Sequence, residues 1–280
     1  MYPPIHAAET PDKPAHVMAG SGEVVTFAQL NDRSNQLAQL LYGRGLRTGD
    51  GISIFMENNA RYLEAAWAAQ RSGLYFTAVS SRLTPPEVAY IVEDSGSQAL
   101  IASRALADVA AEAVRNLPRV HTRLMCDGAV QGFEPYEDAL GAQPAEPLAE
   151  ELEGADMLYS SGTTGRPKGI RRPLPGVPAG APDSVMLMSQ GLYGATPDSV
   201  YLSPAPQYHS APLRFCMAMQ RIGCTVVIME HFDPVEYLAA VERYRITHTQ
   251  LVPTMFVRLL KLPEEVRGRY DVSSLQCAIH

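Results

Sequence analysis

Cysteine is scarce in this sequence, and the cysteines lie far apart along the 280-residue chain. They are Cys126, Cys216, Cys224 and Cys277. Without a Cys-x-x-Cys pair, the sequence lacks the spacing of a zinc site or of a disulfide framework. We therefore expect buried thiols in a protein of a reducing compartment.

An excess of positive charge is also absent. The chain carries 23 Lys and Arg against 30 Asp and Glu, which gives a formal net charge of −7 and a pI of about 5.5. A surface that binds nucleic acid is basic, so this balance argues against a nucleic-acid partner.

Long apolar runs are missing as well. No run approaches the roughly 20 residues that a membrane-spanning helix needs. The first residues have neither the basic nor the apolar region of a secretory signal. We expect a cytoplasmic protein without a transmembrane segment, and we leave peripheral contact with a membrane open.

One short polar string stands out against this background. Residues 159–169 read Tyr-Ser-Ser-Gly-Thr-Thr-Gly-Arg-Pro-Lys-Gly, directly after the apolar pair Met157 and Leu158. Glycines let the backbone approach an anion closely, and successive N–H groups in such a loop form an anion-binding concavity. The hydroxyl groups add donors, and Lys168 adds a positive charge. The string therefore predicts a loop that binds a polyphosphate.

The string is not a Walker A motif, which has four residues between its first glycine and a Gly-Lys-Ser/Thr. Counting from Gly162, the chain has Pro167, Lys168 and Gly169 there, so the second glycine and the final hydroxyl are missing. A glycine-rich surface turn is the plainer interpretation, and a phosphotransferase or NTPase with an unusual loop is another. The order of the whole string favours a dedicated phosphate loop over both.

Helical and extended patterns alternate along the chain. Apolar residues at three- and four-residue spacing predict a helix over residues 26–43, with Thr26 and Gln29 as a capping box. Thr84 and Asp233, each followed by proline, predict two further helix starts. Strand patterns lie at about residues 52–56, 75–79 and 247–252. This alternation predicts an α/β fold with mostly parallel sheet.

Two segments interrupt the alternation. Residues 135–147 are rich in Pro, Ala and Glu, and we predict an exposed linker there. Residues 173–182 are so rich in proline and glycine that they cannot form regular structure. Residues 273–280 alternate as a strand does up to the last residue, and we therefore expect a truncated protein or a partial gene product.

The polar string resembles, nearly residue for residue, the signature phosphate loop of the adenylate-forming (AMP-binding) superfamily. That superfamily includes acyl-CoA synthetases, luciferases and the adenylation domains of peptide synthetases. Weaker motifs of the family occur in the same order in residues 25–30, 68–102, 204–212 and 251–256. The resemblance covers nearly the whole chain, which is similar to about the first half of an acyl-CoA synthetase of the fatty-acid–CoA ligase type.

This resemblance implies the fold in more detail. Stacked, mostly parallel sheets flanked by helices form the large N-terminal domain of these enzymes, and residues 1–280 would be part of that domain. Its first part is expected over about residues 1–172, ending in the phosphate loop. Its second, incomplete part is expected over about residues 183–280, and we expect the C-terminal domain of the family to be absent from this chain. The oligomeric state is left open, with a homodimer among the options.

The resemblance also implies a reaction in two steps. A carboxylate attacks the α-phosphate of Mg-ATP to give an acyl-adenylate and pyrophosphate, and coenzyme A then displaces AMP to give a thioester. The expected cofactors and partners are ATP, Mg²⁺, coenzyme A and a small carboxylic acid. The family's adenine and ribose ligands and its C-terminal lysine would follow His280, so we expect a chain of this length to be inactive by itself.

The resemblance also implies which residues bind the phosphates. Those implied to hold the β- and γ-phosphates are Ser160, Ser161, Gly162, Thr163, Thr164, Gly165 and Lys168. Donors and a lysine aimed at the leaving pyrophosphate act most strongly in the transition state, which gives Lys168 a catalytic role. Thr163 or Thr164 is expected to reach the Mg²⁺, a cation that takes oxygen ligands.

The segment at residues 204–212 implies the acyl site. His209 would have a catalytic role at the carboxylate end of that site, with Tyr208 beside it. A solvated or hydrogen-bonded histidine in a proline-rich turn is the alternative for His209. Met255 and Phe256 are assigned to the acyl pocket, with packing in the protein core as an equal alternative.

The chain departs from the family in two places. Many relatives continue from the loop into a Ser/Thr-His-Arg segment, where this chain has Arg171, Arg172 and Pro173. The amino-acid-activating branch carries a Phe-Asp pair that binds the substrate amine, whereas residues 207–210 here are Gln-Tyr-His-Ser. We therefore favour a fatty or aromatic acid as substrate. An amino-acid-activating domain and a truncated, non-catalytic binding module stay as alternatives.

Overall fold

A computed structural model describes residues 2–159 and 166–280. The strands of this part of the chain are β1 (Pro14–Met18), β2 (Val24–Thr26), β3 (Gly51–Phe55), β4 (Tyr75–Ala78), β5 (Ser97–Ser103), β6 (Thr122–Cys126), β7 (Glu134–Pro135), β8 (Ala155–Tyr159), β9 (Gly169–Ile170), β10 (Val200–Ser203), β11 (Thr225–Ile228), β12 (His248–Gln250) and β13 (Cys277–Ile279). The α-helices are α1 (Pro3–Glu9), α2 (Phe27–Gly43), α3 (Tyr62–Arg71), α4 (Pro85–Asp94), α5 (Ala107–Ala113), α6 (Tyr136–Gly141), α7 (Ser184–Gly191), α8 (Ser210–Ile222), α9 (Pro234–Tyr244), α10 (Pro253–Leu260) and α11 (Glu264–Arg267).

The chain divides into two compact units, each with its own sheet. The first unit combines the residues up to Leu30 with Pro182–His280. Its strands follow the order β13-β12-β10-β11-β1-β2, and all neighbours are parallel except β1 and β2. Leu202, Val227 and Val241 lie in its buried core.

The second unit, Asn31–Ala181, carries the polar string. Its strands follow the order β7-β6-β5-β3-β4-β8-β9, and all neighbours are parallel except β8 and β9. Phe55, Val92 and Leu100 belong to the apolar cluster that helices α4 and α5 share with the sheet. The prediction of an α/β fold with mostly parallel, helix-flanked sheets is confirmed.

Helix starts follow the predicted capping chemistry. The backbone N–H of Thr26 donates to Gln29 Oε1 (3.0 Å), and the N–H of Gln29 donates to Thr26 Oγ1 (3.2 Å). Thr84 and Glu87 form a capping box at the start of α4. The carboxylate of Asp233 accepts two N–H groups in the first turn of α9. These short-range hydrogen bonds satisfy donors that a helix start leaves open.

The linker predicted over residues 135–147 is wrong in its first half. Tyr136–Gly141 forms α6, and the ring of Tyr136 is buried. In the second half, the side-chain amide of Asn35 in α2 donates to the carbonyl of Ala145 (2.6 Å). The composition of the segment could not indicate this, because the partner lies 110 residues away.

The irregular conformation predicted for residues 173–182 is confirmed. This segment runs beside the residues that precede β8. The N–H of Glu153 donates to the carbonyl of Val177 (3.0 Å), and the N–H of Ala179 donates to that of Glu151 (3.0 Å). Two backbone hydrogen bonds thus hold the proline-rich segment against the residues that lead into β8.

Candidate functional site

The polar string connects β8 and β9, an antiparallel hairpin at one edge of the sheet of the second unit. Tyr159 is paired with Gly169 in this hairpin. The residues predicted to hold phosphate or Mg²⁺, namely Ser160, Ser161, Gly162, Thr163, Thr164 and Gly165, lie outside the described residues. Their roles stay predictions, and the structure describes the two ends of the loop.

The loop begins at the carboxyl end of β8, which runs parallel to β4. In open α/β sheets, ligands bind outside the carboxyl ends of parallel strands. Asp156 and Met157 of β8 are buried, so the strand is fixed in the sheet up to the point where the loop leaves it. The position of the string therefore suits a ligand-binding loop.

Helix α4 contacts both ends of the loop. The hydroxyl of Tyr159 donates to Oδ2 of Asp94 (2.6 Å), the last residue of α4. The hydroxyl of Tyr90, one helical turn earlier, donates to the carbonyl of Pro167 (3.1 Å). The guanidinium of Arg166 lies over the Tyr90 ring, 5.1 Å from its centroid. Two side chains of one helix therefore contact residues on either side of the loop.

The Tyr159 hydroxyl stays protonated over the whole physiological range. Burial raises the pKa of Tyr159 well above its usual value, and the hydrogen bond to Asp94 raises it further. Both effects favour the neutral phenol, because the ionised form would lose hydration and would face a carboxylate. Tyr159 thus remains the donor of this hydrogen bond near neutral pH.

The residues after the loop are basic. Arg171 donates to the carbonyl of Gly49 (2.6 Å) and stacks on the ring of Tyr75 (4.2 Å to the centroid). Arg172 pairs with Asp156 (2.9 Å). Lys168, in contrast, is exposed and has no hydrogen bond or ion pair with any other residue that the structure describes.

This arrangement concentrates positive charge near the loop in a chain of net charge −7. Arg166, Lys168, Arg171 and Arg172 lie within seven consecutive residues. The three arginines have contacts inside the unit, while the side chain of Lys168 is exposed to solvent. An exposed lysine beside a glycine-rich loop is suited to a polyphosphate.

The predicted acyl-site pair lies in the first unit, at the start of α8. His209 is the N-cap residue of α8, and its ring is 4.6 Å from that of Tyr208. His209 is exposed, and Tyr208 is half-buried. The segment follows β10, so this pair also lies beyond the carboxyl end of a parallel strand.

Met255 and Phe256 occupy different environments on α10. Met255 is 8% exposed and belongs to the core cluster of the first unit. Phe256 is half-buried, and its ring meets that of His280 edge-on (6.1 Å between centroids). Core packing therefore accounts for Met255, and the acyl-pocket role of both residues stays a prediction.

The structure brings Tyr208 and His209 together, whereas Lys168 belongs to the other unit. Sequence reasoning did not single out Tyr90 or Asp94. The only signal was their four-residue spacing on a helix with a clear start, which places them on one face. Within residues 2–159 and 166–280, no group of three or more His, Cys, Asp and Glu side chains could hold a metal ion.

Two largely parallel, helix-flanked sheets, with a glycine-rich string after one strand, match the fold of the N-terminal domain of adenylate-forming enzymes. The chain belongs to the AMP-binding enzyme family, whose sequence model matches residues 5–279. None of the helices in the described ranges is long and apolar enough to cross a membrane.

Individual relatives are acyl-CoA ligases. The chain is 30% identical to acyl-CoA synthetase 7 of Caenorhabditis elegans, over 97% of this chain and 52% of the relative. It is 27% identical to the long-chain-fatty-acid–CoA ligase FadD13 of Mycobacterium tuberculosis, over 92% of this chain and 50% of the relative. The chain thus spans about half the length of these curated relatives.

A solved structure shows the same fold. The anthranilate CoA ligase AuaEII, in complex with anthranoyl-AMP, matches 99% of this chain and 54% of its own chain with a TM-score of 0.84. The sequence identity in that match is 22%. At this identity the likeness supports the fold alone.

Proposed function

We propose that the full-length protein carrying this sequence activates a carboxylic acid with ATP and transfers the acyl group to coenzyme A. The carboxylate attacks the α-phosphate, pyrophosphate leaves, and the thiol of coenzyme A then displaces AMP from the acyl-adenylate. The observation that carries the proposal is the phosphate-loop string on the β8–β9 hairpin of a chain that belongs to the AMP-binding family.

The loop acts on the leaving group. Negative charge builds up on the β- and γ-phosphates as the bond to the α-phosphate breaks, so donors already aimed at them lower the barrier. Lys168 supplies a full positive charge there, and Ser160 to Gly165 supply N–H and hydroxyl donors. Mg²⁺, when bound, neutralises phosphate charge, and Thr163 or Thr164 would be among its oxygen ligands.

His209 and Tyr208 are proposed to hold the carboxylate of the acid. Their position beyond the carboxyl end of β10 and the exposure of His209 support this, because an exposed imidazole is accessible to a substrate. A hydrogen bond to a charged group is worth about 1.5–3 kcal/mol, so loss of His209 should weaken acid activation by about 10- to 100-fold.

The substrate is proposed to be an apolar acid, fatty or aromatic. Residues 207–210 offer no aspartate to bind an α-amino group, and a residue on α10, Phe256, is apolar and half-buried. The relative FadD13 is described as a long-chain-fatty-acid–CoA ligase, which supports the fatty acid. Apolar pockets distinguish chain lengths by only about 1–3 kcal/mol per methylene, so no length is assigned.

A substrate panel tests this proposal. The full-length protein is given ATP, Mg²⁺ and coenzyme A with fatty, aryl and free amino acids, and thioester and AMP are measured. We expect thioester with the fatty or aryl acids and AMP in equal amount. Preferential activation of an amino acid would replace this proposal with an amino-acid-activating domain, and ADP or phosphate as product would point to an NTPase.

The same panel tests His209. In His209→Ala, we expect the KM for the acid to rise or kcat to fall about 10-fold or more, while the KM for ATP stays unchanged. His231→Ala is the matched control, because His231 is also an exposed histidine of the first unit. Equal behaviour of the two variants would remove His209 from the acyl site.

A further inference from the structure

Helix α4 contacts both ends of the phosphate loop, and this suggests a role that the family motif does not contain. We propose that Tyr90 and Asp94 are positioning residues, which fix the two ends of the loop through Pro167 and Tyr159. The inference rests on the proposed function, because the position of the loop affects the reaction only if the loop binds ATP.

The loop needs such support because its own hairpin is weak. Nine residues connect Tyr159 to Gly169, and β9 contains only Gly169 and Ile170. Strand β8 is held in the seven-stranded sheet, but β9 lies at the edge of that sheet and is paired only with β8, over two residues. Ordering a glycine-rich loop also costs about 1–2 kcal/mol of backbone entropy per residue. Contacts outside the hairpin are therefore needed to hold the loop ends at a constant separation.

Helix α4 is a firm support for these contacts. Its first turn is stabilised by the Thr84–Glu87 capping box and by prolines at the first helical positions, whose fixed φ already suits a helix. Val88 and Val92 are fully buried in the apolar cluster of the second unit. Tyr90 and Asp94 lie four residues apart, so their side chains leave the helix on the same face.

The position of Asp94 is not explained by the stability of the helix. Asp94 is the last residue of α4, and the last turn contains no basic residue. A carboxylate is disfavoured at that end, where the helix dipole is negative. Its hydrogen-bond partner there is the Tyr159 hydroxyl at 2.6 Å. The main consequence of an acid at this position is therefore the contact with the loop.

Three variants of the full-length protein test the inference: Tyr159→Phe, Asp94→Ala and Tyr90→Phe. Pyrophosphate exchange into ATP is measured against the concentrations of ATP and of a carboxylic acid. A misplaced catalytic group can cost up to about 100-fold, and we expect kcat/KM for ATP to fall about 10-fold in each variant. The KM for the acid should not change.

A lower kcat/KM for ATP with an unchanged KM for the acid distinguishes a positioning role from general damage to the fold. Partial unfolding lowers the amount of active protein, which reduces kcat and leaves both KM values unchanged. The double variant with Tyr159→Phe and Asp94→Ala should be as active as the less active of the two single variants, because both substitutions remove the same hydrogen bond. Asp94→Asn should recover part of the activity, since its amide oxygen can still accept the bond.

Matched controls are available in the same unit. Tyr42→Phe removes a hydroxyl from an exposed tyrosine of α2, and Glu93→Gln neutralises the exposed acid next to Asp94 on α4. The inference is overturned if the three test variants keep kcat/KM for ATP within about twofold of these controls, a difference too small for a lost positioning contact.

Amide hydrogen exchange separates this inference from the proposed function. Residues 166–170 should exchange faster in the three variants than in the controls, whether or not the protein is active. If the wild-type protein shows no acid-dependent exchange of pyrophosphate, the proposed function fails on its own. Unchanged hydrogen exchange at residues 166–170 overturns the role of α4 in either case.

Discussion

The α-carbon of Gly169 lies directly against the ring of Tyr159. A Cβ added to Gly169 would be 2.8 Å from Cζ of Tyr159 and 2.5 Å from Cε of Met157. Contacts this short require a neighbour to move. The residue that closes the phosphate loop must therefore be glycine if Tyr159 is to keep its place beside Asp94.

Gly169→Ala should consequently displace the Tyr159 ring. We expect the free energy of unfolding to fall by about 1–3 kcal/mol, the usual cost of excess volume in a packed site, as measured by urea denaturation. Gly43→Ala is the control, because a Cβ there meets nothing within 4 Å and the residue ends a helix. A loss no larger than that of Gly43→Ala would mean that the hairpin accommodates the methyl group.

The buried ion pair of Arg71 and Glu151 gives a second prediction. The Arg71 side chain is 2% exposed and also donates to Ser34 (3.0 Å). Glu151→Gln leaves a buried guanidinium without its carboxylate, so we expect a loss of about 3 kcal/mol in the free energy of unfolding.

A surface pair provides the comparison for that loss. Arg44 and Glu134 are 39% and 45% exposed and 2.7 Å apart. Glu134→Gln should cost at most about 1 kcal/mol, because water screens such a pair. Similar losses in Glu134→Gln and Glu151→Gln would show that burial does not govern the strength of these pairs.

The cysteines should differ in reactivity. Burial raises the pKa of Cys216 and of Cys224 to about 12, and it also raises the pKa of Cys126. Little thiolate forms at pH 8 when the pKa is this high, and the thiolate is the reactive form. Cys277 is more exposed than the other three.

With a thiol reagent at pH 8, we therefore expect Cys277 to react first in the folded protein. The other thiols should react only after denaturant is added. Cys277→Ser should abolish the early phase. An early phase that persists in this variant would place one of the buried cysteines in contact with solvent.

Lys168 provides a direct test of the loop. Lys168→Ala should slow adenylation by about 100-fold or more, the size of the loss when one aimed donor is removed. The fold should stay intact, because Lys168 is exposed. Lys261→Ala, at the exposed end of α10, is the matched control. Equal rates in the two variants would separate Lys168 from phosphate binding.

Local chemistry explains which parts of the structure the sequence could predict. The residues of each capping box, Thr26 with Gln29 and Thr84 with Glu87, are three positions apart, so the sequence alone predicts both boxes. The alternation of helix and strand patterns likewise predicts mostly parallel sheets, and the phosphate-loop string predicts the family.

Long-range contacts explain what the sequence could not predict. Asp94 and Tyr159 are 65 residues apart, and Tyr90 and Pro167 are 77 apart. No periodic pattern connects such pairs, so the contacts of α4 with the loop became visible only in the structure. For the same reason, the sequence could not distinguish core packing from pocket lining for Met255.

The central claim is that this chain carries the phosphate loop of an enzyme that activates a carboxylic acid. The most direct test is the exchange of labelled pyrophosphate into ATP by the full-length protein, with and without a fatty or aryl acid. We expect exchange that requires the acid, is retained in Lys261→Ala and is reduced about 100-fold or more in Lys168→Ala. Exchange that is absent with every acid, or that is unaffected by loss of Lys168, would contradict it.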